Sequence, residues 1–90
     1  MNLNLIKESI EENVYHIPSG KEVPMHEHAD QDEIFYCIKG SGFGVLENEE
    51  VELNVGKAFI VPAGTTHSLR SDGDLYVGSF LIPVVDDRTA

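Results

Sequence analysis

Residues 20–40 read GKEVPMHEHADQDEIFYCIKG, and this stretch decides the fold. It opens on a glycine, passes through an extended Pro24-Met25 pair, and reaches His26-Glu27-His28. On an extended chain, residues two apart share a face and stand about 6.6–6.8 Å apart along it. The imidazoles of His26 and His28 can therefore lean toward one point, while Glu27 faces away. Glu33 then opens the apolar run Ile34 to Ile38, which has the composition of a strand. Further on, His67 follows the Pro62-Ala63-Gly64 turn and opens another such run. Three imidazoles and one carboxylate, each at the end of an extended segment, suit a divalent transition metal. Taken singly, each has a plainer reading: two surface histidines, a turn histidine, a charge at a strand edge.

The intervals bring these residues together. Gly20, His26, His28, Glu33 and Gly40 follow the pattern Gly, five residues, His-x-His, four residues, Glu, six residues, Gly. Gly56, Pro62, Gly64 and His67 follow Gly, five residues, Pro-x-Gly, two residues, His, with Ser71 where an Asn would complete the pattern. In both motifs the chain resembles the cupin family. Fifteen residues, Ser41 to Val55, separate the two. Average sequence holds only about 7% Gly and 5% Pro, so nine matched positions are not a chance meeting.

The resemblance implies an all-β fold, the double-stranded β-helix or jelly-roll barrel. It also implies that His26, His28, Glu33 and His67 hold a divalent metal (Zn, Ni, Fe, Mn or Cu) inside the barrel. Three His and one Glu would leave a six-coordinate ion two open positions. Those positions allow dioxygenase-type or isomerase-type chemistry, with Glu33 a candidate base. The serine at 71 puts a turn contact in doubt and touches no ligand.

Working outward, strand-like runs cover Val14–Ile17, Glu33–Lys39, Phe43–Leu46, Val51–Asn54, Ala58–Val61, His67–Arg70 and Leu75–Ile82. Turn residues separate them, including Gly40-Ser41-Gly42 and Asp72-Gly73, the latter reading as a hairpin turn. This pattern fits an antiparallel sandwich or barrel over a single domain, residues 1–90. Residues 1–13 form an N-terminal arm that suits either an edge strand or one or two helical turns. Residues 86–90 are a polar, frayed tail.

Parity then sorts the faces. With Glu33 inward, Phe35 and Cys37 point inward too, and Ile34, Tyr36 and Ile38 point outward. His67 and Leu69 point in, and Arg70 points out. The cavity beside the ligands is thus apolar and holds no inward cation, which favours a neutral or chelating small molecule over an anion. The outer face is apolar as well and asks for a cover, by a second subunit in a homodimer or by the N-terminal arm. Cys37 reads as a small buried hydrophobe. His16 reads as structural or exposed, Tyr15 and Tyr36 as packing residues, and Asp30 and Asp32 as a solvated loop.

Composition sets the limits. Six Lys and Arg oppose sixteen Asp and Glu, for a formal charge of −10, which excludes nonspecific nucleic-acid and anionic-membrane binding. One cysteine makes no internal disulfide, and no apolar stretch approaches the roughly 18 residues of a membrane span. The expected setting is the cytoplasm. The expected function is a metal-binding cupin that takes a small molecule, with a noncatalytic binding or sensory module as the alternative.

Overall fold

The structure, a computed structural model, describes residues 10–84. Its five strands are β1 (Glu11–Ile17), β2 (Gln31–Leu46), β3 (Glu50–Asn54), β4 (Ala58–Val61) and β5 (His67–Pro83). There is no helix among the described residues, and every strand pairing is antiparallel. β1 begins at Glu11 rather than Val14, so the strand takes in the last residues assigned to the arm. The strand-or-helix question for the arm, apart from these, lies outside the described residues, as does the tail from Asp86 to Ala90.

Two expected breaks are not breaks. β2 runs through Gly40-Ser41-Gly42, and β5 runs through Asp72-Gly73, so the expected hairpin turn does not form. The turn-forming residues instead create bulges, and the β2–β5 register shifts three times between Cys37 and Gly42. Gly40 adopts φ +81° and Asp74 φ +47°, which bends both strands without ending them. A Cβ on Gly40 would lie 1.9 Å from the Asp74 carbonyl oxygen, so only glycine fits there. Ser71 secures the opposite side: its Oγ accepts the Leu75 N–H at 3.1 Å. The serine that departs from the motif thus makes a contact of its own across the bulge.

The five strands form one sheet, in the order β1-β5-β2-β3 with β4 also on β2. The bend folds it into two halves shared by both long strands. Residues 33–37 of β2 pair with residues 77–81 of β5, flanked by β4 and β1. Residues 42–46 of β2 pair with residues 67–71 of β5, flanked by β3. On the far side of that second half runs the segment 21–26, tied by Ser71 N–H to Lys21 C=O (2.8 Å) and Val23 N–H to Leu69 C=O (3.0 Å). The result is the expected jelly roll.

The core holds Ile17, Phe35, Cys37, Leu53, Phe59, Val61, Leu69, Leu75 and Val77. Burying one such side chain contributes about 1.5–3 kcal/mol. The parity reading holds along β2: Glu33, Phe35 and Cys37 are buried, while Tyr36 and Ile38 are exposed. Cys37 is fully buried, and burial pushes its thiol up despite a contact to the Lys39 carbonyl. It behaves as a small hydrophobe. The outer face, expected to be covered, is bare among the described residues: Tyr36 is 45%, Ile38 47% and Ile60 65% exposed.

Candidate metal centre

Four side chains converge at one end of the barrel. His26, His28, Glu33 and His67 each offer one donor atom, and these atoms lie within 4.8 Å of one another. Donors about 2.0–2.2 Å from a common ion stand at most about 4.4 Å apart, so a small contraction would close the set.

The backbone explains the convergence. Glu33 lies on β2, and its neighbour Val61 on β4 leads into the corner that delivers His67. That corner is closed by Thr65 N–H to Pro62 C=O at 3.1 Å, with Gly64 at φ +81°. It is fixed from outside by Gly64 N–H to His28 C=O at 2.9 Å and by Ala63 N–H to Asp32 Oδ1 at 2.8 Å. His26 and His67 face each other across a two-way backbone pair, N–H to C=O at 2.9 and 2.8 Å. Their rings stand 4.3 Å apart.

His26 and His28 do not sit on a regular strand. Pro24 has no N–H to donate, and the segment pairs with β5 only through single bridges. His26 is therefore exposed and His28 half-buried, whereas Glu33 and His67 are buried.

The surrounding bonds orient the rings for coordination. A carbonyl only accepts, so His67 Nδ1 donates to Thr65 C=O at 2.8 Å, and His26 Nδ1 donates to Pro24 C=O at 3.0 Å. Both assignments leave Nε2 for the centre, the arrangement in which ligating histidines are commonly held. Glu33 Oε2 accepts from Ser79 Oγ at 2.5 Å, which turns Oε1 toward His67 Nε2 (2.9 Å) and His28 Nε2 (3.3 Å). The donor set and its supports fit a divalent transition metal.

Charge follows geometry. Burial raises the Glu33 carboxyl, but hydrogen bonds from His67 and Ser79 and the nearby imidazoles outweigh it and hold the group below its usual range. Burial likewise lowers His67, and the bonds to Glu33 and Thr65 outweigh it and hold the ring above its ordinary value. The pair therefore favours imidazolium against carboxylate when no cation lies between them.

Beside the four donors opens a cavity of about 470 Å³. Ile17, Val23, Phe35, Leu69 and Leu81 form its apolar wall, and no Lys or Arg lines it. The expected lack of an inward cation holds among the described residues. Ser79, Asp32 and Tyr15 were not legible as parts of the site. Ser79 meets Glu33 across 46 positions and Asp32 meets Ala63 across 31, distances over which neither residue type carries a signal. Asp32 is a fastener of the His67 corner rather than a solvated loop residue.

The cupin domain family matches residues 13–82. The chain belongs to the cupin family. Among curated relatives, this cupin is 30% identical over 70 residues to an uncharacterized protein of Methanocaldococcus jannaschii, covering 78% of this chain and 54% of that one. It is 38% identical over 55 residues to quercetin 2,3-dioxygenase of Bacillus subtilis, covering 61% of this chain and 16% of that enzyme. The cupin thus spans about half, or less, of the length of these relatives. A solved cupin protein from Bacteroides fragilis superposes with a TM-score of 0.81 at 21% identity, over 87% of this chain and 69% of that one. No helix among the described residues is long and apolar enough to cross a membrane.

Proposed function

We propose that this cupin holds a divalent transition metal through His26, His28, Glu33 and His67 and takes a small, uncharged, oxygen-bearing molecule into the adjoining cavity for dioxygenase-type turnover. The observation that carries the reading is the convergence of four donors at an apolar cavity without a cation. The likeness to a dioxygenase over 55 residues supports the reaction class. A bound ion of this kind supplies Lewis acidity and, if redox-active, the electron transfer that dioxygen chemistry needs. The chain's own part is to orient and exclude. Thr65 and Pro24 carbonyls fix the ring orientations of His67 and His26, Ser79 fixes Glu33, and the apolar wall desolvates the bound molecule. Glu33, which lines that cavity, is the candidate base.

Metal analysis after purification without added metal, followed by reconstitution with Fe, Mn, Ni, Cu and Zn separately, tests the premise. One equivalent of metal is expected, lost in the double variant His26→Ala/His67→Ala. Metal uptake that survives both substitutions would refute the site. Oxygen consumption across diketones, thiols and keto-sugars then tests turnover. The second reading, a noncatalytic binding or sensory module, draws on the scarcity of acid–base groups: beyond the four donors only Tyr15 and His16 are titratable in the lining. Tight ligand binding without turnover on every metal would select it.

We assign the bare outer face around Tyr36, Ile38 and Ile60 to pairing of two subunits. Sedimentation should show a homodimer that Ile60→Lys dissociates, and a monomeric wild type would remove this assignment. The single buried thiol of Cys37 suits a reducing compartment, and the cytoplasm is the proposed location.

A further inference from the structure

β1 is an edge strand that pairs only with β5 among the described residues, and its alternation sends consecutive side chains to opposite faces. Ile17 is buried in the core, so Tyr15, two positions earlier, shares the inward face. Its register partner on β5 is Val77, which is fully buried, and Tyr15 lines the cavity beside the four donors. His16 also borders that cavity, but its ring is engaged elsewhere. It stacks on Tyr76 with centroids 4.2 Å apart and bonds Asp74 at 3.2 Å. Tyr15 is 45% exposed, and its hydroxyl has no protein hydrogen-bond partner among the described residues, which leaves it free to meet a molecule entering the cavity.

We propose that Tyr15 is a specificity-determining residue whose phenol donates a hydrogen bond to the far end of a molecule held at the metal. This rests on the metal-binding reading above. It narrows the substrate class to molecules with adjacent oxygen donors at one end, an apolar middle and an uncharged acceptor, such as a carbonyl, at the other. A carboxylate at that far end would meet no cation in the lining. An alkyl group there would leave the phenol unmatched.

The test uses Co(II)-loaded wild-type protein and Tyr15→Phe under anaerobic conditions, with two matched pairs of catechol probes. Each pair binds metal through the same diol. 3,4-Dihydroxyacetophenone carries a carbonyl where 4-ethylcatechol carries a methylene, and 3,4-dihydroxyphenylacetone with 4-propylcatechol extends the reach by one carbon. A neutral hydrogen bond contributes about 0.5–1.5 kcal/mol, so Tyr15→Phe should weaken at least one carbonyl probe by about two- to twelvefold. The matched alkyl probe and Co(II) itself should bind as before. Equal weakening of both members of each pair, or of neither, overturns the role of Tyr15. Co(II) uptake without binding of any catechol overturns the substrate class. Failure of the wild type to take up Co(II) strikes the metal reading first, and this inference with it.

Discussion

The candidate metal centre is assembled from two regions built in different ways. Glu33 and His67 stand on the long strands β2 and β5, buried, bonded to each other, and braced by Ser79 and Thr65. His26 and His28 stand on a segment that Pro24 keeps out of the regular sheet, His26 exposed and His28 half-buried. The first region is part of the core before any ion arrives. The second is held by a few backbone bonds and completes the set from the mouth of the cavity. A buried polar pair is costly to disrupt, whereas an exposed imidazole is nearly neutral to remove. Stability should therefore reside in the strand-borne half, and metal affinity in both.

Removing His67 is the harshest way to probe that division. His67→Ala takes from the buried Glu33 its buried imidazole partner and leaves only the half-buried His28 at 3.3 Å, which should cost the metal-free protein about 3 kcal/mol. Chemical denaturation of chelator-treated protein measures this. A loss under about 1 kcal/mol would mean that the buried pair does not anchor the strand half.

The next effect is expected from pH alone. In the metal-free protein Glu33 lies below its reference value of 4.5 and His67 above its reference value of 6.5, each because the other's charge and hydrogen bonds outweigh burial. The carboxylate's contribution is present above pH 4.5 and lost as pH falls through its folded value. The imidazolium's contribution is full below pH 6.5 and lost as pH rises through its folded value. The melting temperature of metal-free protein should thus peak between about pH 4.5 and 6.5 and fall on either side. Metal binding requires neutral imidazoles and releases protons, so metal-induced stabilisation should grow as pH rises. Parallel profiles with and without metal would contradict the shared site.

Ser79→Ala tests the bracing of the strand half. It removes one donor to a buried carboxylate, and supporting contacts of this kind are worth about 10–100-fold in metal affinity. Competition with a colorimetric chelator reads the change. An unchanged affinity would show that Glu33 needs no such support.

How much of this division could be read from sequence depends on the range of the interactions. The motif intervals singled out four residues whose side chains converge, because each stands at a position set by local extended or turn geometry. Parity along Glu33 to Ile38 predicted which side chains enter the barrel, since a period of two leaves no third choice. Sequence reading failed at Gly40-Ser41-Gly42 and Asp72-Gly73. Residues that permit φ > 0 serve hairpins and bulges alike, and only the pairing of β2 with β5 decides between them. Pro24 is a break in the structure too, where a missing N–H leaves the segment joined to β5 by isolated bridges. Ser79, Asp32 and Tyr15 gain their meaning from neighbours across the sheet, which no local pattern encodes.

The smallest stability effect is expected at His26, where the two regions should part most clearly. His26 is exposed, and its one side-chain bond runs to a carbonyl two residues away. His26→Ala therefore leaves no buried partner behind, and metal-free stability should change by no more than about 0.5 kcal/mol. Metal affinity should respond differently, because a ligand is worth at least the roughly 10–100-fold of a supporting contact. One variant thus yields a near-silent denaturation curve and a large loss in metal titration. If His26→Ala unfolds the protein as readily as His67→Ala, the two halves are one cooperative unit and the division fails. If it binds metal as tightly as wild type, His26 lies outside the ligand set, and the centre contracts to His28, Glu33 and His67.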